Sequence, residues 1–142
     1  MVSMVNLTRL TTLLLAFNEF TGIIKFDMFT KLESLEFLWL SEDLNLAYES
    51  LNYTFPSLET LWLNACNLTR IPYFLISLKG LLELDLSSNR IGGEIPTWFQ
   101  DIGKDTMEGL YLSDNNFNGE IPFLICSLSS LQYLYFEYNN LS

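Results

Sequence analysis

The stretch Leu78-Lys79-Gly80-Leu81-Leu82-Glu83-Leu84-Asp85-Leu86-Ser87-Ser88-Asn89-Arg90-Ile91-Gly92-Gly93-Glu94-Ile95-Pro96 decides how the rest of this 142-residue chain is understood. Its apolar residues follow the spacing Leu78-x-x-Leu81-x-x-Leu84-x-Leu86-x-x-Asn89-x-Ile91-x-Gly93-x-Ile95-Pro96. The residues that fall at the Asn89 position are Asn18, Asp43, Cys66, Asn89, Asn115 and Asn139, separated by 25, 23, 23, 26 and 24 residues. The first copy contains Leu7, Leu10, Leu13, Leu15, Asn18, Gly22 and Ile24. The second keeps Leu32, Leu35, Leu38, Leu40 and Asp43 and then loses the pattern until Phe55. The third, Phe55 to Pro72, is one residue short and lacks its glycine. The fifth runs from Met107 to Pro122, and the sixth begins at Leu128.

A leucine pattern recurring at this period is the signature of a leucine-rich-repeat solenoid. The expected fold is α/β in class: a right-handed coil of about six turns, with a parallel sheet on its concave face, short 3-10 or irregular segments on the convex side, and no caps. The repeats are placed at 7–31, 32–54, 55–77, 78–103, 104–127 and, in part, 128–142. Within each repeat, Leu-x-Leu has period two, so Leu84 and Leu86 face the interior and Asp85 faces out. The pairs after each proline, Phe74-Leu75, Trp98-Phe99 and Leu124-Ile125, are expected to fill the interior from the opposite wall.

The asparagine position has its own physical role. Where the strand ends the chain bends inward, leaving backbone N–H and C=O groups that a buried carboxamide can satisfy while bridging adjacent turns. Cys66 is a compact replacement with a weak S–H donor. Asp43 is poorer, since an ionised carboxylate cannot donate and is costly to bury. The second turn, with its irregular residues 44–54, is therefore expected to be the least regular.

Composition excludes several functions. A net charge of −10 leaves no basic patch for nucleic acid. With no histidine and two cysteines, neither a zinc site nor a histidine-based triad can be assembled, and no cofactor is implied. Cys66 and Cys126 lie in different parts of the repeat, too far apart for a disulfide, and are expected to be core or near-core thiols. The acids are spread along the repeats rather than paired as a glycosidase requires, so no enzyme is expected. The sequons at Asn6, Asn52, Asn67 and Asn140 point toward the secretory pathway and possible glycan attachment. No segment reaches the ~18 apolar residues needed to span a bilayer, and the leucines of residues 13–15 follow the repeat rather than a signal peptide.

Gly93-Glu94-Ile95-Pro96 and Gly119-Glu120-Ile121-Pro122 resemble the plant extracellular variety of the repeat. The stretches Cys66-Asn67-Leu68-Thr69-Arg70-Ile71-Pro72, Leu84-Asp85-Leu86-Ser87-Ser88-Asn89 and Glu120 to Leu131 narrow the match to the ectodomains of plant receptor-like proteins, the membrane-anchored immune and developmental receptors without a kinase domain. The resemblance implies a ligand-recognition segment on the extracellular side of the plasma membrane, signalling through a partner receptor kinase. A secreted polygalacturonase-inhibitor-like protein is the second reading, and a truncated gene product without function is the third.

The outward strand positions would form the binding face. The site between the last two strand leucines carries Leu14, Trp39, Trp62, Asp85, Tyr111 and Tyr135 on successive turns, and strands ~4.8 Å apart bring Trp39 against Trp62 and Tyr111 against Tyr135. Glu36, Glu42, Glu59, Glu83, Glu108, Asp114, Glu137 and Tyr138 surround them. None of the seven lysines and arginines falls in the six strand windows 11–17, 36–42, 59–65, 82–88, 108–114 and 132–138, whereas eight of the seventeen acids do. The expected ligand is a basic, extended peptide or protein segment laid across the strands.

Overall fold

The structure, a computed structural model, describes residues 2–41, 44–49 and 53–142. Eleven short strands are present among them: β1 (Thr12–Leu14), β2 (Ile23–Lys25), β3 (Phe37–Trp39), β4 (Asn45–Ala47), β5 (Thr60–Trp62), β6 (Glu83–Asp85), β7 (Gly92–Gly93), β8 (Gly109–Tyr111), β9 (Asn116–Gly119), β10 (Tyr133–Tyr135) and β11 (Asn140–Leu141). Each Leu-x-Leu core has become one strand, and six of them form a parallel sheet in the order β1-β3-β5-β6-β8-β10. The register places Leu13, Leu38, Leu61, Leu84, Leu110 and Leu134 in one inward row. Stacking is what buries that row: the four inner leucines are 0 % exposed, while Leu13 and Leu134 at its two ends are 9 % and 42 % exposed.

The opposite wall is made of 3-10 turns at Phe26–Lys31, Tyr73–Ser77, Thr97–Asp101 and Phe123–Ser127. Pro72, Pro96 and Pro122 immediately precede the last three, where a residue with fixed φ and no N–H costs nothing. No α-helix occurs among the described residues. Phe26, Phe29, Phe74, Phe99 and Phe117 are fully buried between this wall and the leucine rows, and the Phe26 and Phe74 rings lie 4.5 Å apart. Each such side chain contributes on the order of 1.5–3 kcal/mol by leaving water.

Three carboxamides join successive turns. Asn89 Nδ2 donates to the Leu63 and Leu86 carbonyls, both at 2.9 Å, so one side chain ties the ends of two successive strands. Its Oδ1 accepts from the Cys66 and Leu68 N–H groups at 2.9 and 3.0 Å. Asn115 repeats the scheme, donating to Leu86 and accepting from Ile91, and Asn139 donates to Leu112 and accepts from Phe117. Cys66 reproduces half of it: its Sγ–H donates to the Leu40 carbonyl at 3.2 Å. Burial, helped by the nearby Asp85 charge, pushes this thiol up to about 12, which keeps the proton in place for that bond. Asn18 departs from the expected ladder. It is exposed and, among the described residues, bonds only the Leu15 and Ala16 carbonyls of its own turn, because no earlier strand stands beside it. Asp43 lies outside the described residues.

Among the described residues, the residue before each of five ladder positions adopts a left-handed backbone: Phe17, Ala65, Ser88, Asp114 and Tyr138 have φ between 53° and 58°. None is glycine, and a side chain there costs about 1–2 kcal/mol. The strand thus turns inward sharply enough to bring the next side chain under the sheet.

Part of the second turn, expected to be the least regular, lies outside the described residues. The lateral sheets formed after the ladder position are β2-β4 and β11-β9-β7, so turn three lacks a lateral strand. The shortened loop from Cys66 to Pro72 accounts for this, as Arg90 N–H still reaches the Leu68 carbonyl but pairing stops there. Trp98 and Leu124 are half-buried rather than interior, since each five-residue 3-10 turn carries them to its flank while Phe99 and Ile125 point in. Cys126 is exposed, not core or near-core, while Cys66 is buried as expected; both are free.

Replacing Asn89 with Ala should cost about 3–4 kcal/mol in urea denaturation, since several buried backbone groups lose partners, whereas Asn18→Ala should cost less than about 1 kcal/mol. Ser88→Gly should raise stability by about 0.5–1 kcal/mol by relieving the left-handed backbone.

Candidate functional site: the outer face of the strand sheet

Parallel register sets the face. Trp39 stands beside Trp62, Trp62 beside Asp85, Asp85 beside Tyr111, and Tyr111 beside Tyr135. The two indoles meet edge to face with centroids 5.2 Å apart at 79°, and the two phenols stack at 5.2 Å and 13°. Such pairs add about 0.5–1.5 kcal/mol beyond their buried area. Gly109 makes room for this stack, because a Cβ there would come within 3.1 Å of the Tyr111 ring.

The aromatic surface is wider than the strip read from sequence. Phe17 lies edge-on to Trp39 at 5.4 Å, and Phe37 to Trp62 at 4.9 Å. Tyr133 and Tyr138 are half and almost fully exposed beside Tyr135. The period-two rule could have found Phe37 and Tyr133, each two residues before a residue of the strip. Phe17 carried no such signal, since only its left-handed backbone turns it back toward the sheet.

Hydrogen bonding holds the two tryptophans differently. Trp39 Nε1–H donates to Asn64 Oδ1 at 2.8 Å, but Trp62 Nε1–H is buried without a partner among the described residues. An unmatched buried donor of this kind costs about 1–3 kcal/mol. It lies in the middle of the face, beside Asp85.

The acids form a rim. The Glu36 carbonyl accepts N–H bonds from Glu59 and Thr60, the Glu59 carbonyl from Leu82 and Glu83, and the Glu108 carbonyl from Gln132 and Tyr133. This shared pattern fixes Glu36, Glu59 and Glu108 at one strand entrance, where all three are exposed. Glu83 is half-buried in β6, and Glu137 is exposed beyond β10. The Ser113 hydroxyl donates to Glu137 and holds its carboxyl below the ordinary value. Among the described residues the one ion pair is Lys25 with Glu49, at 3.9 Å and off this face, so the rim carboxylates are not neutralised. Glu42 lies outside the described residues.

Asp85 differs from the rim. It is half-buried between Trp62 and Tyr111 and accepts from the N–H and hydroxyl of Ser87. Burial raises its carboxyl above the ordinary value, and the Ser87 bonds oppose the rise. Burial and then the Glu83 charge also raise Tyr111. No group of three or more histidine, cysteine or acidic residues that could hold a metal occurs among the described residues.

The Leucine Rich Repeat family model matches residues 80–102 and 106–128. The chain is a leucine-rich-repeat solenoid with an aromatic, acid-rimmed strand face. Its sequence is similar to plant receptor-like proteins: it is 38% identical over 133 residues to Receptor like protein 22 of Arabidopsis thaliana, a match that covers 90% of this chain and 17% of the relative. In fold it resembles the Arabidopsis receptor kinase HAESA, solved in complex with the peptide hormone IDA and the co-receptor SERK1, with TM-score 0.76 and 28% identity over 99% of this chain and 24% of that one. It also resembles PEPR1 in the PEPR1-AtPEP1 structure, with TM-score 0.74 and 29% identity over 99% of this chain and 20% of that one. The chain spans less than a fifth of the length of the curated relatives it matches. No helix among the described residues is long and apolar enough to cross a membrane.

A folded carboxyl pKa raised above its unfolded value means that the folded chain holds the proton more tightly. The stability tied to that proton is present at low pH and is lost as pH rises from the ordinary aspartate value through the raised one. Asp85→Asn, which keeps an acceptor for Ser87, should therefore melt above the parent at pH 7. The gap should close below about pH 3, where the unfolded carboxyl is protonated too.

Proposed function

We propose that the chain is a ligand-recognition segment of a plant cell-surface receptor-like protein, working in defence or developmental signalling through a partner receptor kinase. One observation carries the reading: two pairs of touching aromatic side chains, Trp39–Trp62 and Tyr111–Tyr135, stand part-exposed on four of the six parallel strands with Asp85 between them, inside a rim of carboxylates that form no ion pair among the described residues. Exposed aromatic residues supply contact area at low entropic cost, and one-signed charge selects a partner of the opposite sign. HAESA, solved with the peptide hormone IDA, has this fold, and the relatives similar in sequence are receptor-like proteins.

The ligand we infer is an extended, basic peptide or protein segment crossing the strands. Trp39, Trp62, Tyr111 and Tyr135 provide its apolar contacts, and Asp85, Glu36, Glu59, Glu83, Glu108 and Glu137 its charge contacts. No step in this role needs a catalytic group or a cofactor, and we read no enzyme. The chain belongs, on this proposal, to the extracellular side of the plasma membrane, as one array of repeats divided at residues 31, 54, 77, 103 and 127. Asn6, Asn67 and Asn140 are then candidate glycan sites; the fourth, Asn52, lies outside the described residues.

Trp39→Ala and Trp62→Ala, placed together in the full-length receptor containing this sequence, should weaken the ligand-triggered response at least tenfold while leaving the amount at the cell surface unchanged. A response indistinguishable from the parent would reduce this stretch to scaffold.

A further inference from the structure

The break in the lateral sheet at turn three has a second outcome. Because turn three has no lateral strand, β7 ends the three-stranded sheet β11-β9-β7 and its outer edge is open at the exposed residues Gly92 and Gly93. A cavity of about 410 Å³ lies against this edge, remote from the strand face and within the ~300–1,000 Å³ typical of small-molecule sites. Its walls include Tyr48, Arg70, Tyr73, Gly92, Glu94 and Trp98. The Tyr73 and Trp98 rings meet edge to face at 5.0 Å, and both retain exposed surface. Arg70 and Glu94 are exposed at the same cavity but form no ion pair with each other, so both keep hydrogen-bonding capacity.

We propose that this cavity is a binding site for a neutral saccharide of about one or two pyranose rings. A pyranose has an apolar face of C–H groups and a periphery of hydroxyls that both donate and accept. Half-exposed aromatic rings complement the first, and a guanidinium, a carboxylate and open backbone groups complement the second. Other ligands fit less well. The two-residue edge of β7 is too short for strand addition by a peptide, and a chain with net charge −10 repels a polyanionic sugar. The saccharide has two possible sources: a free glycan, or a glycan attached to this chain at Asn67, which lies in a smaller neighbouring cavity that shares Tyr48 with this one.

The test is a nitrogen-15 NMR titration of the 142-residue chain made in bacteria, and therefore without glycan, using cellobiose and N,N′-diacetylchitobiose. The expected result is saturable shifts at Gly92, Gly93 and the Trp98 indole, with a dissociation constant on the order of 1 mM for at least one sugar. Arg70→Ala, an exposed and structurally mild change, and Trp98→Ala should each weaken binding at least fivefold. Phe123→Ala, an exposed aromatic outside the cavity, should leave it unchanged. If the chain from a glycosylating host refuses the free sugar while its Thr69→Ala variant accepts it, the resident saccharide is the Asn67 glycan. Free binding to both assigns the site to an external glycan. Absence of saturable shifts up to about 20 mM for either sugar, or shifts that survive both Arg70→Ala and Trp98→Ala, would overturn the proposal.

Discussion

The bond from each ladder side chain to the carbonyl of the preceding turn is the constraint on which the coil depends. Leu40, Leu63, Leu86 and Leu112 end four successive strands, and each carbonyl accepts from the ladder residue one turn later: Cys66, Asn89, Asn115 and Asn139. Without these donors the inward bend would bury unpaired backbone groups, at about 1–3 kcal/mol apiece. The bonds also fix the spacing between turns. That spacing then sets strand pairing, leucine stacking and the alignment of the outward residues. The aromatic face is downstream of the ladder, since Trp39 and Trp62 touch only because their strands are held in register.

Cys66 shows what the ladder requires and what it tolerates. A thiol can donate to Leu40, but it offers little as an acceptor, so it performs only one half of the carboxamide's task. Turn three is also where the lateral sheet breaks, and both features occur in the shortened segment Cys66 to Pro72. The irregularity creates the cavity beside β7 on the flank while the strand sheet runs on unbroken through β5. A solenoid permits this division, because each turn is held mainly by its neighbours and one wall can vary while the other continues.

Much of this architecture was legible in the sequence, for a physical reason. Period-two leucines and a repeating asparagine each answer to a local rule, so Leu84, Leu86 and Asn89 announce a strand, a core row and a bridge. The contacts Trp39–Trp62 and Tyr111–Tyr135 followed from strand spacing alone. What stayed hidden depends on backbone turns or on neighbours beyond the repeat. Phe17 joins the face through a left-handed φ that no glycine marks. Asn18 reads as a ladder residue but has no earlier strand to bridge, and Trp98 and Cys126 follow the orientation of 3-10 turns that have no clear apolar period. The break at turn three was visible as a missing residue, but the cavity it opens was not.

Native-state hydrogen exchange tests the ladder most directly. The amides of Leu68, Ile91 and Phe117 donate to Asn89, Asn115 and Asn139 Oδ1 rather than to a strand partner. If these carboxamides hold the turns together, the three amides should exchange as slowly as the strand-end amides of Leu63 and Leu86, opening only with global unfolding. Exchange at the rate of exposed loop amides, with Leu63 and Leu86 still protected, would show that leucine stacking alone maintains the coil and would contradict this account.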